Sequence, residues 1–180
     1  RVLYARALGE SGEKQRALAV IRPLVDRPDA APDELRLASV IAKSAGDPNA
    51  ARFEQRIDKT APEWVGGQLA IADKALRNRQ WAQAEEAYLA IVKELGASNG
   101  IVLNNLAFAQ DKLGKSQEAL KHALAAAKLE PENAAILDTA GVLLAANGKR
   151  EQGIAMLRKA ASLAPGNAAI KRHLADAEAT

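Results

Sequence analysis

The chain has 180 residues, a formal net charge of +3 and no cysteine, so disulfides, thiolate zinc sites and cysteine nucleophiles are excluded. Hydrophobic residues make up 48% of the sequence and aromatic residues only 3%, which favours an all-helical protein with a core of small aliphatic side chains. Basic and acidic residues alternate and no apolar run approaches the ~20 residues of a membrane span, so we expect neither nucleic-acid binding nor a span in this sequence.

Helix–turn–helix units follow one another along the chain, each marked by a small residue in the middle of each predicted helix. The marks of the first helices are Ala5, Ala38, Ala72, Ala107 and Gly141, and those of the second helices are Ala17, Ala50, Ala84, Ala119 and Gly153. Both series have successive spacings of 33, 34, 35 and 34 residues. These marks predict repeats over residues 1–30 (clipped at its start), 31–64, 65–99, 100–133 and 134–167, followed by a capping helix or the start of a sixth repeat over 168–180.

The tripeptide Gly114-Lys115-Ser116 has the residues that end a phosphate-binding P-loop. A P-loop would need glycine where Ala109 stands and a strand before it, whereas the preceding segment has helical periodicity. Gly114 is therefore interpreted as the stop of a first helix, Ser116 as the N-cap of the next helix, and Pro131 as the end of the repeat.

Candidate catalytic and metal-binding residues are sparse. His122 and His173 have no histidine or carboxylate partner at a metal-like spacing, and each is interpreted as a solvated or half-buried side chain. No opposed acid pair in an apolar setting and no nucleophile elbow is recognisable. The sequence therefore predicts a protein that is not an enzyme, with no cofactor and no metal site.

A helix pair of 34 residues with small residues at these points, glycine in the turn and proline at the end resembles the tetratricopeptide repeat (TPR). The resemblance covers essentially the whole chain, and Trp81, Ala84 and Tyr88 match the aromatic-Ala-aromatic pattern of the second helix. Leu103 and Leu137 stand where the family has an aromatic residue early in the first helix. The resemblance implies a right-handed α-solenoid of antiparallel helix pairs that binds a protein or peptide partner on a concave face lined by first helices.

Register with the family implies which residues line that face: Arg6, Ser39, Lys43, Leu69, Asp73, Arg77, Asn104, Phe108, Asp111, Lys112, Asp138, Val142, Arg172 and Asp176. Phe108 is either an anchor for a bound segment or a residue that packs between repeats, and both interpretations stay open. The two-carboxylate clamp of chaperone-binding TPR proteins is rejected, because only Asn104 approaches the set of residues that it needs.

The last two repeats contain "LNNLA", "ILDTAG", "LAPGN" and "IKRHLA", which resemble the C-terminal part of bacterial TPR lipoproteins of exosortase (PEP-CTERM) and exopolysaccharide systems. Val142 stands where that group usually has tryptophan. The resemblance implies a scaffold in envelope protein sorting or exopolysaccharide assembly, in the periplasm or anchored to the outer membrane. The alternatives are a cytoplasmic TPR adaptor or co-chaperone-like regulator, and the non-catalytic TPR domain of a larger enzyme. Self-association is left open, and because the sequence starts at Arg1 without methionine, we expect a fragment of a longer protein.

Overall fold

A computed structural model describes residues 1–179, without the side chains of residues 58–61, and all regular structure in this part of the chain is helical. The helices are α1 (Val2–Glu10), α2 (Lys14–Val25), α3 (Pro32–Ala45), α4 (Ala50–Arg77), α5 (Trp81–Leu95), α6 (Gly100–Lys112), α7 (Ser116–Leu129), α8 (Ala134–Ala146), α9 (Arg150–Leu163) and α10 (Ala168–Ala179). The predicted all-α class is confirmed. Thr180, the last residue of the predicted capping segment, lies outside the described residues.

The chain forms two compact units, Arg1–Gly67 and Gln68–Thr180, and the division falls within α4. In the first unit, α1 packs on α2 and α2 packs on α3. The predicted marks Ala5, Ala17 and Ala38 are fully buried there, as their role in close helix packing requires. The guanidinium of Arg56 donates hydrogen bonds to the carbonyls of Val25 and Arg27 and so satisfies backbone groups at the end of α2.

The second unit pairs α6 with α7 and α8 with α9, and α10 packs on α9. Its core is built mainly from alanine, leucine and isoleucine side chains of α6 to α10. Gly141 and Gly153 let α8 and α9 meet backbone to backbone, because a Cβ built on Gly153 would lie 2.6 Å from the Gly141 carbonyl oxygen. The sequence marks therefore locate true contact points between paired helices.

The turns inside four helix pairs contain a glycine with a positive φ angle, at Gly12, Gly46, Gly114 and Gly148. The predicted helix stop at Gly114 is therefore confirmed. Arg79 stands at the equivalent place before α5 and adopts φ 57°, which costs a residue with a side chain more than it costs glycine. Ser116 was expected to cap α7, and this prediction is wrong because Lys115 is the N-cap residue and makes no side-chain cap bond.

Helix α4 runs unbroken across the predicted boundary between repeats two and three, at residues 64 and 65. The three later repeat boundaries provide an asparagine that caps the next first helix, as Asn99 does for Val102, Asn133 for Ile136 and Asn167 for Ile170. The backbone continues as helix through Pro62.

Candidate functional site

A groove in the second unit lies among three successive first helices, α6, α8 and α10. Its volume is about 170 Å³, and we call it the first-helix groove. The residues that line it are Phe108, Asp111, Lys112, Asp138, Thr139, Val142, Leu143 and His173. Five of these residues belong to the set predicted from the family register, whereas Thr139, Leu143 and His173 do not. The backbone thus brings together side chains from three successive repeats.

Phe108 is the main apolar feature of this groove, with 40% of its surface exposed. The ring of Trp81 packs edge-on against it, with 5.8 Å between centroids and 79° between planes. The ammonium group of Lys112 lies 5.0 Å from the Phe108 ring centroid, within the range of a cation–π interaction. Phe108 therefore packs against Trp81 of the preceding repeat and also exposes ring surface, and its role as an anchor for a bound segment stays a prediction.

Asp138 and His173 form an ion-pair contact across the groove, with 2.9 Å between Nδ1 and Oδ2. His173 is half-buried, as interpreted from the sequence, and α8 and α10 place it beside Asp138 although the two residues are 35 residues apart. In the sequence these two residues are separated by one repeat length plus one residue. This spacing between residues of successive first helices can be used to search for such contacts. Lys112 is likewise engaged, since its Nζ lies 2.9 Å from the Asp111 carboxylate.

Asp73 and Tyr88 belong to a neighbouring polar cluster on α4, α5 and α6. The Tyr88 hydroxyl donates to Asp73 Oδ1 at 2.6 Å and accepts from Asn105 Nδ2 at 3.2 Å. Burial, followed by the bond to Asp73, raises the pKa of Tyr88. Asp73 is thus occupied with a tyrosine of its own repeat.

The other predicted residues of the second unit are spread over its first helices. Asn104 is half-buried, and its Oδ1 is buried without a hydrogen-bond partner. Its Nδ2 donates weakly to Asn105 Oδ1 at 3.4 Å. Leu69 is half-buried, whereas Arg77, Arg172 and Asp176 are exposed. None of these five lines the first-helix groove.

The predicted residues of the first unit are placed differently. Ser39 is buried, and its hydroxyl donates to Glu54 Oε1 at 3.2 Å. Lys43 forms an ion pair with the same carboxylate and, as the largest influence, lowers the pKa of Glu54. Arg6 is exposed on α1. The contacts that Ser39 and Lys43 make with Glu54 tie α3 to α4.

A second polar cluster, not anticipated from the sequence, joins α5, α6 and α7. Glu85 is 8% exposed and accepts from Gln110 Nε2 at 3.1 Å and from Lys115 Nζ at 2.6 Å. His122 Nδ1 lies 2.7 Å from Gln110 Oε1. Burial, followed by the nearby Lys121 charge, lowers the pKa of His122. The cluster satisfies buried polar groups between neighbouring second helices.

Among the described residues, no group of three or more histidine and carboxylate side chains is placed to hold a metal ion. Over the same part of the chain, no helix combines the length and apolarity needed to cross a bilayer.

No protein-family model matches the chain, and neither does any curated protein. Solved structures, in contrast, do match the chain. The TPR domain of Arabidopsis OM64 is 20% identical with a TM-score of 0.61, over 66% of this chain and 98% of that one. The second TPR domain of human RPAP3, in complex with an HSP70 peptide, is 20% identical with a TM-score of 0.57, over 62% of this chain and 92% of that one.

A third similar structure, MamA AMB-1, extends over both units. It is 18% identical with a TM-score of 0.52, over 93% of this chain and 94% of that one. At such identities, a structural likeness establishes fold rather than function. The protein is an all-α chain with the TPR fold.

Proposed function

We propose that the chain is a non-catalytic interaction module that holds a segment of a partner protein in the first-helix groove. The observation that carries this proposal is the exposed Phe108 ring, fixed between Trp81 and Lys112 beside the exposed Val142. A rigid aromatic side chain next to apolar surface is a typical anchor at a protein interface. The RPAP3 domain with its HSP70 peptide supports the proposal, since that protein of similar fold is solved with a peptide.

The charges in the groove favour a segment that binds through an apolar side chain rather than through a carboxylate. Both basic side chains that line the groove already contact an acid of the chain, Lys112 with Asp111 and His173 with Asp138. A bound carboxylate would compete with these acids for the same donors. An apolar side chain placed between Phe108 and Val142 would bury surface from both residues and leave the ion pairs intact.

A peptide-display selection on the full chain tests the proposal. We expect enriched peptides that share a large apolar residue, and we expect Phe108→Ala to weaken their binding by roughly tenfold or more, as loss of an aromatic anchor does. Leu129→Ala is the matched control, because Leu129 is similarly exposed but lies on the second helix α7. The proposal fails if enriched peptides bind Phe108→Ala as tightly as they bind the unaltered chain.

We further propose that this module serves envelope protein sorting or exopolysaccharide assembly, in the periplasm or at the outer membrane of a bacterium. The support is the sequence resemblance of "LNNLA", "ILDTAG", "LAPGN" and "IKRHLA" to TPR lipoproteins of those systems. Fractionation of cells that produce the natural full-length protein tests the compartment. Recovery with the periplasmic or outer-membrane fraction is expected, and recovery with the cytoplasmic fraction contradicts the envelope role.

A further inference from the structure

A second, larger groove lies in the second unit between the second helices α7 and α9. Its floor is formed by Leu137 and Leu144 of α8, and its volume is about 620 Å³. We call it the second-helix groove; its lining residues are Leu124, Ala127, Lys128, Pro131, Leu137, Leu144, Gln152, Ala155, Met156 and Lys159. It shares no residue with the first-helix groove, which is lined by α6, α8 and α10.

The second-helix groove is a property of these side chains and not of the repeat as such. One repeat earlier, the positions equivalent to Ala127 and Ala155 hold Val92 and Lys121, both larger side chains. The positions equivalent to Leu144 and Met156 hold Gln110 and His122, whose side chains bond to each other at 2.7 Å. The space between α5 and α7 is therefore occupied by polar side chains that are hydrogen-bonded to each other, whereas the space between α7 and α9 is apolar and open.

The walls of the groove suit an apolar occupant. Leu124 and Met156 are half-buried and face each other from α7 and α9, and methionine adapts readily to different shapes. Leu163, four residues after Lys159 on α9, is a further exposed apolar side chain beyond the lining. The lining runs from Leu124 to Pro131, which is about two helical turns or roughly 10 Å.

The rim of the groove carries a net positive charge. Lys128 lies on one wall and Lys159 on the other, and both are exposed. The lining residues include no acid, and Glu132 outside the lining places its Oε1 2.7 Å from Lys159 Nζ. Two lysines with one carboxylate leave an excess cation beside apolar surface, which is complementary to an apolar face flanked by acids.

We propose that the second-helix groove binds an amphipathic helix of a partner protein, with its apolar face against Leu124, Leu144 and Met156 and an acidic flank against Lys128. A groove two turns long accepts apolar side chains spaced at i, i+4 and i+7. This site shares no lining residue with the first-helix groove, so that one chain can hold two partner segments.

The test uses the single methionine of the chain, Met156, as a reporter inside the groove. The full chain is labelled at the methionine methyl group and titrated with a synthetic amphipathic helical peptide of about 15 residues, with leucine at i, i+4 and i+7 and glutamate on both flanks. A twin peptide with lysine on the flanks has the same apolar face. We expect the Met156 methyl resonance to shift on saturation with the acidic peptide, at a Kd several-fold lower than that of the basic twin.

Ala155→Glu places a charge in the groove and should raise the Kd of the acidic peptide about tenfold or more. Lys121→Glu is the matched control, because it places glutamate at the equivalent position of α7 outside the groove, and it should leave the Kd within about twofold. The proposal is overturned if neither peptide shifts Met156, if the basic twin binds as well, or if Ala155→Glu binds normally. It is also overturned if oleate alone shifts Met156, or if the resonance moves with protein concentration alone, which assigns the groove to a second copy.

Discussion

Two glycines set the distance between α8 and α9. A Cβ on Gly153 would lie 2.6 Å from the Gly141 carbonyl oxygen and 2.8 Å from the Ala145 amide nitrogen, and backbone atoms cannot move aside as a side-chain tip can. Gly153→Ala should therefore lower the free energy of unfolding by about 1–3 kcal/mol, although alanine is by itself the better helix former. Chemical denaturation measures this change.

Gly66 provides the control for that experiment. It lies inside α4, and a Cβ built there meets nothing within 4 Å. Gly66→Ala should raise the free energy of unfolding by about 0.5–1 kcal/mol through helix propensity alone. If both substitutions change stability in the same direction, the close contact between α8 and α9 is not what makes Gly153 necessary.

His122 gives the chain a specific dependence on pH. Burial lowers the pKa of His122 in the folded state, whereas a histidine in the unfolded chain has a pKa of about 6.5. As the pH falls below that value, the unfolded chain takes up the proton more readily than the folded chain, so the contribution of the neutral imidazole to stability is lost. Above about pH 6.5 that contribution is fully present.

His122→Gln removes the titrating group and keeps a donor for Gln110. The difference in unfolding free energy between the unaltered chain and this variant should therefore change between pH 7.5 and pH 5.5, with the unaltered chain losing more. Urea denaturation at the two pH values measures it. A difference that is independent of pH would mean that His122 titrates alike in the folded and unfolded chain.

At the scale of single residues, the sequence predicts the packing marks better than the polar partners. Ala107, Ala119, Gly141 and Gly153 recur with the repeat because close helix contacts tolerate only small side chains, and a recurring constraint is visible in one sequence. The pair formed by His173 and Asp138 depends on how α8 and α10 rotate against each other. The periodicity of apolar residues within one helix does not show how two helices are rotated against each other.

At the scale of helices, α4 differs from the predicted repeat organisation, because it crosses the boundary between repeats two and three without a break. The helix continues through Pro62, where an interior proline removes one backbone donor and crowds the preceding turn. Pro62→Ala should therefore raise the free energy of unfolding by about 1–3 kcal/mol and increase the helical circular dichroism signal. Unchanged or lower stability would favour a turn near residue 64, as the repeat boundary predicted.

The helix starts show why the Ser116 prediction was wrong while the helix itself was predicted correctly. First helices α6 and α8 begin after an asparagine whose side chain accepts from the backbone, whereas second helices α7 and α9 begin after a lysine without a cap bond. In the turns before α7 and α9, the left-handed glycine precedes the lysine, and its geometry positions the next helix. Hydroxyl residues near a predicted start are therefore a poor guide in these turns.

At the scale of the whole molecule, composition and repeat length were sufficient to predict the fold class. A sequence with 48% hydrophobic and 3% aromatic residues can fill a core only by bringing helices close together, and a period near 34 residues requires each unit to pack on the next. The two grooves of the second unit were not predictable in the same way. Each groove depends on side chains that differ between equivalent positions of successive repeats. Phe108 in one repeat corresponds to Val142 in the next, and Lys121 corresponds to Ala155.

The proposed function requires the first-helix groove to be a binding site, and Trp81 is placed to report on binding there because its ring packs against Phe108. In a Trp64→Phe background, Trp81 is the only tryptophan left in the chain. The decisive measurement is Trp81 fluorescence during titration with a display-selected peptide. We predict a saturable change in emission that is lost, together with tight binding, in the Phe108→Ala variant. Tight binding that leaves Trp81 emission unchanged and survives Phe108→Ala would contradict the account.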